Sequence, residues 1–169
     1  MILKNFKINA FTNSKLFGNP ACVVPLKKWL SDEILLKIAK KNNVSETAFF
    51  IKENSKFSLR WFTPDIEMDL CGHATLAAAH CINKHLNFNF ETILFNSKIG
   101  QLSVNVFDDL YQLDFPKRKP IESELPEKIY NSLSIKPDKV LKSRDYVLVY
   151  NNIDAVSYTH LRAHETDLN

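Results

Sequence analysis

The chain has 169 residues, 45% of them apolar and 24% charged, and a net charge of +3. That length suits one ordinary domain or two small ones, and the balance excludes a disordered chain. The charge is too slight to imply nucleic acid, and no apolar run approaches the roughly 20 residues a membrane span needs.

Met1 to Ala10 alternates Lys with apolar residues and lacks a signal-peptide core, which makes the cytoplasm the default location. Ile2 to Phe11 reads as a strand, with Phe6, Ile8 and Ala10 on one face. Phe17-Gly18-Asn19-Pro20 signals a turn into the apolar run Ala21 to Leu26, which Pro25 limits to a strand end or a sheet edge. Ser31 is a suitable N-cap for a helix with Asp32 and Glu33 in its first turn. Ile34, Leu35, Ile38 and Ala39 repeat at helical spacing, and Lys40, Lys41 and Asn42 close it. The β-branched and aromatic content after Glu46 predicts a strand that Glu46 opens, running to Ile51. Phe57 to Phe62 is another strand, with Phe57, Leu59 and Trp61 on one face, and Thr63-Pro64-Asp65 turns the chain.

Leu70 to Leu86 is the centre of the pattern. Ala and Leu are strong helix formers, and no Pro interrupts the stretch. The ring from Ala74 to Ile82 carries no formal charge, so a helix of roughly Gly72 to Leu86 is expected to be buried almost all round, its small side chains letting strands approach. At its Gly72 entrance the first backbone N–H groups lack intrahelical partners and could seat a carboxylate or a developing oxyanion. The plainer alternative is a core helix preceded by a glycine turn.

Thr92 to Phe95, Leu102 to Val106 and Leu110 to Phe115 read as a meander of short strands, with turns at Gly100 and Asp108-Asp109. The elements add up to an α+β fold, a mixed and largely antiparallel sheet rolled around a central buried helix. Pro116 to Pro120 is charged and Pro-bracketed, a domain boundary rather than a nucleic-acid site, since Lys117-Arg118-Lys119 has no aromatic interleaving. Pro126 to Leu133 predicts a short helix with Pro in its first turn, and Asp145 to Tyr150 a strand. Three cysteines, Cys22, Cys71 and Cys81, form no disulfide framework. Cys81 with His85 and His73 with His80 lack the paired spacings of a zinc site, which leaves no metal implied. Only three glycines are present, too few for a phosphate-cradling loop, so no organic cofactor is implied either.

Four stretches occur in one order: Phe17-Gly18-Asn19-Pro20, Asn43-Val44-Ser45-Glu46-Thr47-Ala48-Phe49, Arg60-Trp61-Phe62-Thr63-Pro64 and Leu70-Cys71-Gly72-His73-Ala74-Thr75-Leu76. Together they resemble the PhzF family, the phenazine biosynthesis-like isomerases of the diaminopimelate-epimerase-like fold. The resemblance runs from Met1 to about Asp154. It implies two similar domains, each a sheet rolled around a helix, with the active site in the cleft between them and the Gly72 helix entrance pointing into that cleft. Residues 1–115 are then the first domain, and 116–154 a linker and the start of a truncated second one. Residues 155–169 resemble the non-native tails of truncated open reading frames, the alternative being a divergent natural terminus. Family members are longer, and their second half supplies a further helix entrance with an Asp and a Ser that nothing here matches.

The resemblance implies an isomerase that moves a proton on a small carboxylate-bearing substrate, with Glu46 as catalytic acid and base and with Asn19, Ser45, Gly72 and His73 as substrate-binding residues. Moving a proton between carbons needs a group that accepts it at one atom and returns it at another, and a carboxylate in a partly dry setting beside Phe49 and Phe50 can do so. A different reading is a cofactor-independent epimerase or racemase that uses Cys71, whose thiolate a helix N-terminus would favour. A third is an inactive fragment: a cleft with one wall is flooded with water, and its exposed apolar face favours self-association, as a homodimer or as aggregate.

Overall fold

A computed structural model of the chain describes residues 2–13, 15–108 and 110–157. The chain divides into two compact units, Met1–Phe115 and Pro116–Asn169. Most of the expected tail at 155–169, from residue 158 on, lies outside the described residues; residues 153–157 form one helical turn.

The first unit begins with β1 (Phe6–Ala10), β2 (Asn19–Leu26), α1 (Asp32–Asn42), β3 (Glu46–Glu53), β4 (Lys56–Phe62) and β5 (Glu67–Met68). It continues through α2 (Gly72–His80), extended by a π-helical turn over Cys81–His85, to β6 (Thr92–Ser97), β7 (Gly100–Phe107) and β8 (Leu110–Asp114). The strands form one sheet in the order β1-β2-β3-β4-β6-β7-β8, with β5 paired to β4. Two pairs are parallel, β2 with β3 and β4 with β6; the rest are antiparallel. Helix α2 packs against β1, β2 and β3 from one end of this order and against β8 from the other. The sheet therefore rolls around α2, as the sequence predicts.

What drives the roll is burial on the inner face. Ala74, Ala77, Ala78 and Ala79 of α2 lie in one core with Ala21, Val23, Ala48, Phe50, Phe57, Leu59, Trp61 and Phe95. The alanines keep the helix thin, so that aromatic side chains from the strands fill the space around it. On the outer face, α1 lays Leu35 and Ala39 against Val24, Leu26, Phe49 and Phe62. Strands β2 and β3 are thus buried on both sides, which accounts for their near-continuous apolar runs.

Several local expectations shift. The first strand is shorter than Ile2 to Phe11, and β2 is flanked by β1 and β3, so that Pro25 lies at its strand end, as expected, and not on a sheet edge. Pro25 is tolerated there because the β1 ladder ends at Val23, so its missing N–H leaves no bond to β1 unmade. Ser31 occupies the N-cap of α1 without making a side-chain capping bond. Gly18 has φ +74°, and a Cβ there would lie 2.4 Å from the Ala10 carbonyl oxygen, so the turn into β2 requires glycine. The helix after Gly72 changes character at Cys81, where the Leu86 N–H reaches the Cys81 carbonyl at 3.0 Å. Buried Asn83 then ties down the exit, donating to the Phe90 carbonyl at 3.1 Å and accepting from the Phe90 N–H.

The second unit holds β9 (Ile121–Glu122), α3 (Glu127–Ser132), β10 (Lys139–Lys142) and β11 (Tyr146–Val149). Its three strands pair antiparallel in the order β11-β10-β9. Pro126 stands at the N-cap of α3. Strands β9 and β10 carry no sequence signal of the kind that marks Asp145 to Tyr150.

Candidate active site

The parallel register of β2 and β3 sets Glu46 opposite Ala21, at the opening of β3. The Phe49 and Phe50 pairings that follow carry β3 into the core, so the carboxylate of Glu46 stays at the sheet's end, with its side chain 17% exposed. Helix α2 begins at Gly72, and its second residue, His73, reaches the same place with a side chain 10% exposed. The His73 Nε2 lies 3.3 Å from Glu46 Oε2 and 3.4 Å from Ser45 Oγ. On the other side of the ring, Nδ1 lies 3.5 Å from Cys71 Sγ. Residues 28 apart in the chain thus share one hydrogen-bonding cluster.

Two features make this cluster chemically poised. Glu46 Oε2 is shielded from solvent and, among the described residues, accepts no well-aligned hydrogen bond; Nε2 of His73 is near it but not in line. Buried carboxylate oxygens are normally satisfied, so this one is available to a proton or a ligand donor. Secondly, burial pushes the Cys71 thiol up to about 12, with Glu46 raising it further and the nearby backbone N–H groups of Ala74 and His73 opposing that rise. The sulfur therefore stays protonated near neutral pH. It also occupies part of the helix entrance that sequence reasoning leaves open for an anion.

Of the expected site residues, Ser45, Glu46 and His73 come together. Gly72 is adjacent, and what approaches it closely is the ring of Phe115: a Cβ on Gly72 would lie 2.9 Å from two of its ring carbons. Asn19 does not join the cluster; it opens β2 opposite Ala10, two residues before Glu46's partner Ala21. Phe115 is a neighbour that sequence reasoning missed, its only signal being an aromatic residue just before Pro116. Trp61 Nε1 is a second buried polar atom without a partner among the described residues.

Glu46, Cys71 and His73 offer an oxygen, a sulfur and a nitrogen within 4.8 Å of one another, a donor set of a kind soft divalent ions accept. Sulfur ligation needs the thiolate, which the burial of Cys71 opposes. A groove of about 530 Å³ lies farther along α2, lined by Leu76, Ala77, His80, His85, Lys7 and Tyr111 among others. None of Ser45, Glu46, Cys71 and His73 lines it.

Comparison with known proteins gives one consistent result. A family model described as phenazine biosynthesis-like protein matches residues 8–144. An uncharacterised isomerase of Pseudomonas aeruginosa is 42% identical over 152 residues, which cover 90% of this chain and 59% of the relative. Phenazine biosynthesis-like domain-containing protein 1 of Mus musculus is 40% identical over 124 residues, 69% of this chain and 43% of the relative. The crystal structure of a PhzF-family protein from Enterococcus faecalis superposes with a TM-score of 0.82 at 38% identity, covering 93% of this chain and 60% of that one. The chain thus spans less than two thirds of the length of each of these relatives.

Proposed function

The chain belongs to the phenazine biosynthesis-like (PhzC-PhzF) family, and from that membership we propose that it forms the first-domain half of an isomerase acting on a small carboxylate-bearing substrate, with Glu46 moving the proton. The observation that carries this reading is the unsatisfied, solvent-shielded Oε2 of Glu46 beside His73 Nε2 at 3.3 Å. A carboxylate with a free buried oxygen can take a proton from carbon and return it, while the neighbouring imidazole and Ser45 hydroxyl orient the substrate's polar groups. Gly72 and Asn19 are assigned to the substrate side of the same region. Residues 116–154 would open a second domain, and the matched relatives, being longer, have length for the rest of one. The three free cysteines suit a reducing compartment such as the cytoplasm.

The thiol-base alternative is less well supported, because a sulfur held protonated by burial is a poor proton acceptor. Reliance on groups beyond this chain favours catalytic silence of the 169 residues alone. In a full-length protein carrying this sequence, Glu46→Gln should lower turnover at least about 100-fold while ligand binding persists. Unchanged turnover would remove Glu46 from the mechanism. Turnover by residues 1–169 alone, comparable to that of the full-length protein, would show that no second domain is needed.

A further inference from the structure

We propose that Cys71 is a positioning residue for His73: its S–H donates to Nδ1 and thereby holds the ring's own hydrogen on Nε2, facing Glu46 and Ser45. The inference rests on the reading of Glu46 and His73 as site residues, but its geometry and its test stand apart from turnover.

The sulfur's surroundings decide where its hydrogen points. Cys71 Sγ is buried, 3.5 Å from His73 Nδ1, and close to the backbone N–H groups of Ala74 and His73. Those N–H groups can only donate, so they face the sulfur's lone pairs and leave its hydrogen to go elsewhere. Nδ1 of His73 is the acceptor within reach. The Cys71 backbone is itself held, its carbonyl accepting from the Thr75 hydroxyl at 2.6 Å and from the Thr75 N–H at 3.2 Å.

The far side of the ring selects the same tautomer. In a neutral imidazole one nitrogen donates and the other accepts. Were the hydrogen on Nδ1, the lone pair of Nε2 would lie 3.3 Å from Glu46 Oε2, an acceptor with no hydrogen-bond donor among the described residues. Two acceptors at that distance in a shielded site repel. With the hydrogen on Nε2, the same atom can donate to Ser45 Oγ at 3.4 Å and turns a positive rather than a negative edge toward Oε2. Both sides of the ring favour one tautomer, and Cys71 supplies the donor that completes it. A thiol at this helix entrance thus acts by staying protonated, the opposite of the role a thiol base would need.

The test is ¹⁵N NMR of the histidine-labelled 169-residue chain near neutral pH, in solution or by magic-angle spinning if the chain self-associates. Long-range ¹H–¹⁵N spectra distinguish a ring protonated at Nδ1 from one protonated at Nε2. The expected wild-type result is His73 with hydrogen on Nε2 and an acceptor-type Nδ1. Cys71→Ala should shift His73 toward a mixture of tautomers, and Cys71→Ser, which keeps a donor, should restore the Nε2 form. Hydrogen on Nδ1 in the wild type overturns the proposal, as does a Cys71→Ala spectrum identical to wild type. If Cys71→Ala does not fold, the wild-type and Cys71→Ser spectra decide it by the same criterion. Loss of the Glu46 mechanism would leave these spectra unchanged, so the two readings fail separately.

Discussion

Residues up to Phe115 and residues beyond it both build sheet and helix, yet they differ in what those elements cover. In the first unit the strands close over α2 and bury Trp61, Phe57 and Phe95 almost completely, while α1 covers Phe49 and Phe62 on the outer face. In the second, among the described residues, no side chain is buried, and α3 buries none of its own. Ile121, Val147 and Tyr130 all remain exposed. Ladder hydrogen bonds are present in both. Because a strand pair exchanges water for backbone partners at small net gain, it is the apolar burial that separates the two. A three-stranded sheet whose apolar residues are at most half-buried holds little stability of its own.

Hydrogen exchange should separate the two units most widely. Amides of β3 and β4 should exchange at least about a thousandfold more slowly than those of β10 and β11, since the former need near-global opening and the latter only local opening. Equal protection would mean that the second unit draws stability from a source outside its own packing.

Paired truncations test the two units one side chain at a time. Phe57 touches Phe50, Phe88, Phe90 and Phe95 with ring centroids 5.5 to 6.2 Å apart. Phe57→Ala should cost about 3–5 kcal/mol in a urea titration followed by tryptophan fluorescence. Ile121→Ala should change the midpoint by less than about 0.5 kcal/mol. A large effect at Ile121 would contradict its exposure.

The smallest contrast is electrostatic. Arg60 donates to both oxygens of Glu67, at 2.7 and 2.8 Å, and to Asp32 at 2.8 Å, while Lys98 also pairs with Glu67. The Arg60 hydrogen bond, helped by Lys98 and opposed by burial, holds the Glu67 carboxyl below its ordinary 4.5. A carboxyl with a depressed folded pKa contributes stability that is fully present above 4.5 and is lost as pH falls through the folded value. Glu67→Gln should therefore destabilise the chain by about 1 kcal/mol at pH 7, a figure kept small by the exposed partners Asp32 and Lys98, and should flatten the loss of stability below pH 4.5. In the second unit, the exposed Lys139–Glu122 pair at 3.6 Å should show no measurable counterpart in Glu122→Gln.

What the amino-acid sequence determined by itself was whatever local periodicity and chain punctuation encode. The acids and lysines around Leu35 and Ala39 bound α1 to the residue, the alternation in Phe57 to Phe62 oriented β4, and the uncharged alanine run marked α2 as central. The four family-like stretches pointed to the same fold and to Glu46 and His73. Tertiary structure alone decided which residues meet. The parallel pairing of β2 with β3 and the roll of the sheet around α2 bring Ser45 and Glu46 to His73, and no local pattern specifies that register. The same holds for Phe115 against Gly72, for the Arg60–Glu67–Asp32 network and for the short strand β5, whose two residues are too few to show a period. It holds most for Cys71. Its position before a helix reads from sequence as favouring a thiolate, whereas burial among the residues packed around it keeps the proton on sulfur, because desolvating a charge outweighs the pull of two backbone N–H groups.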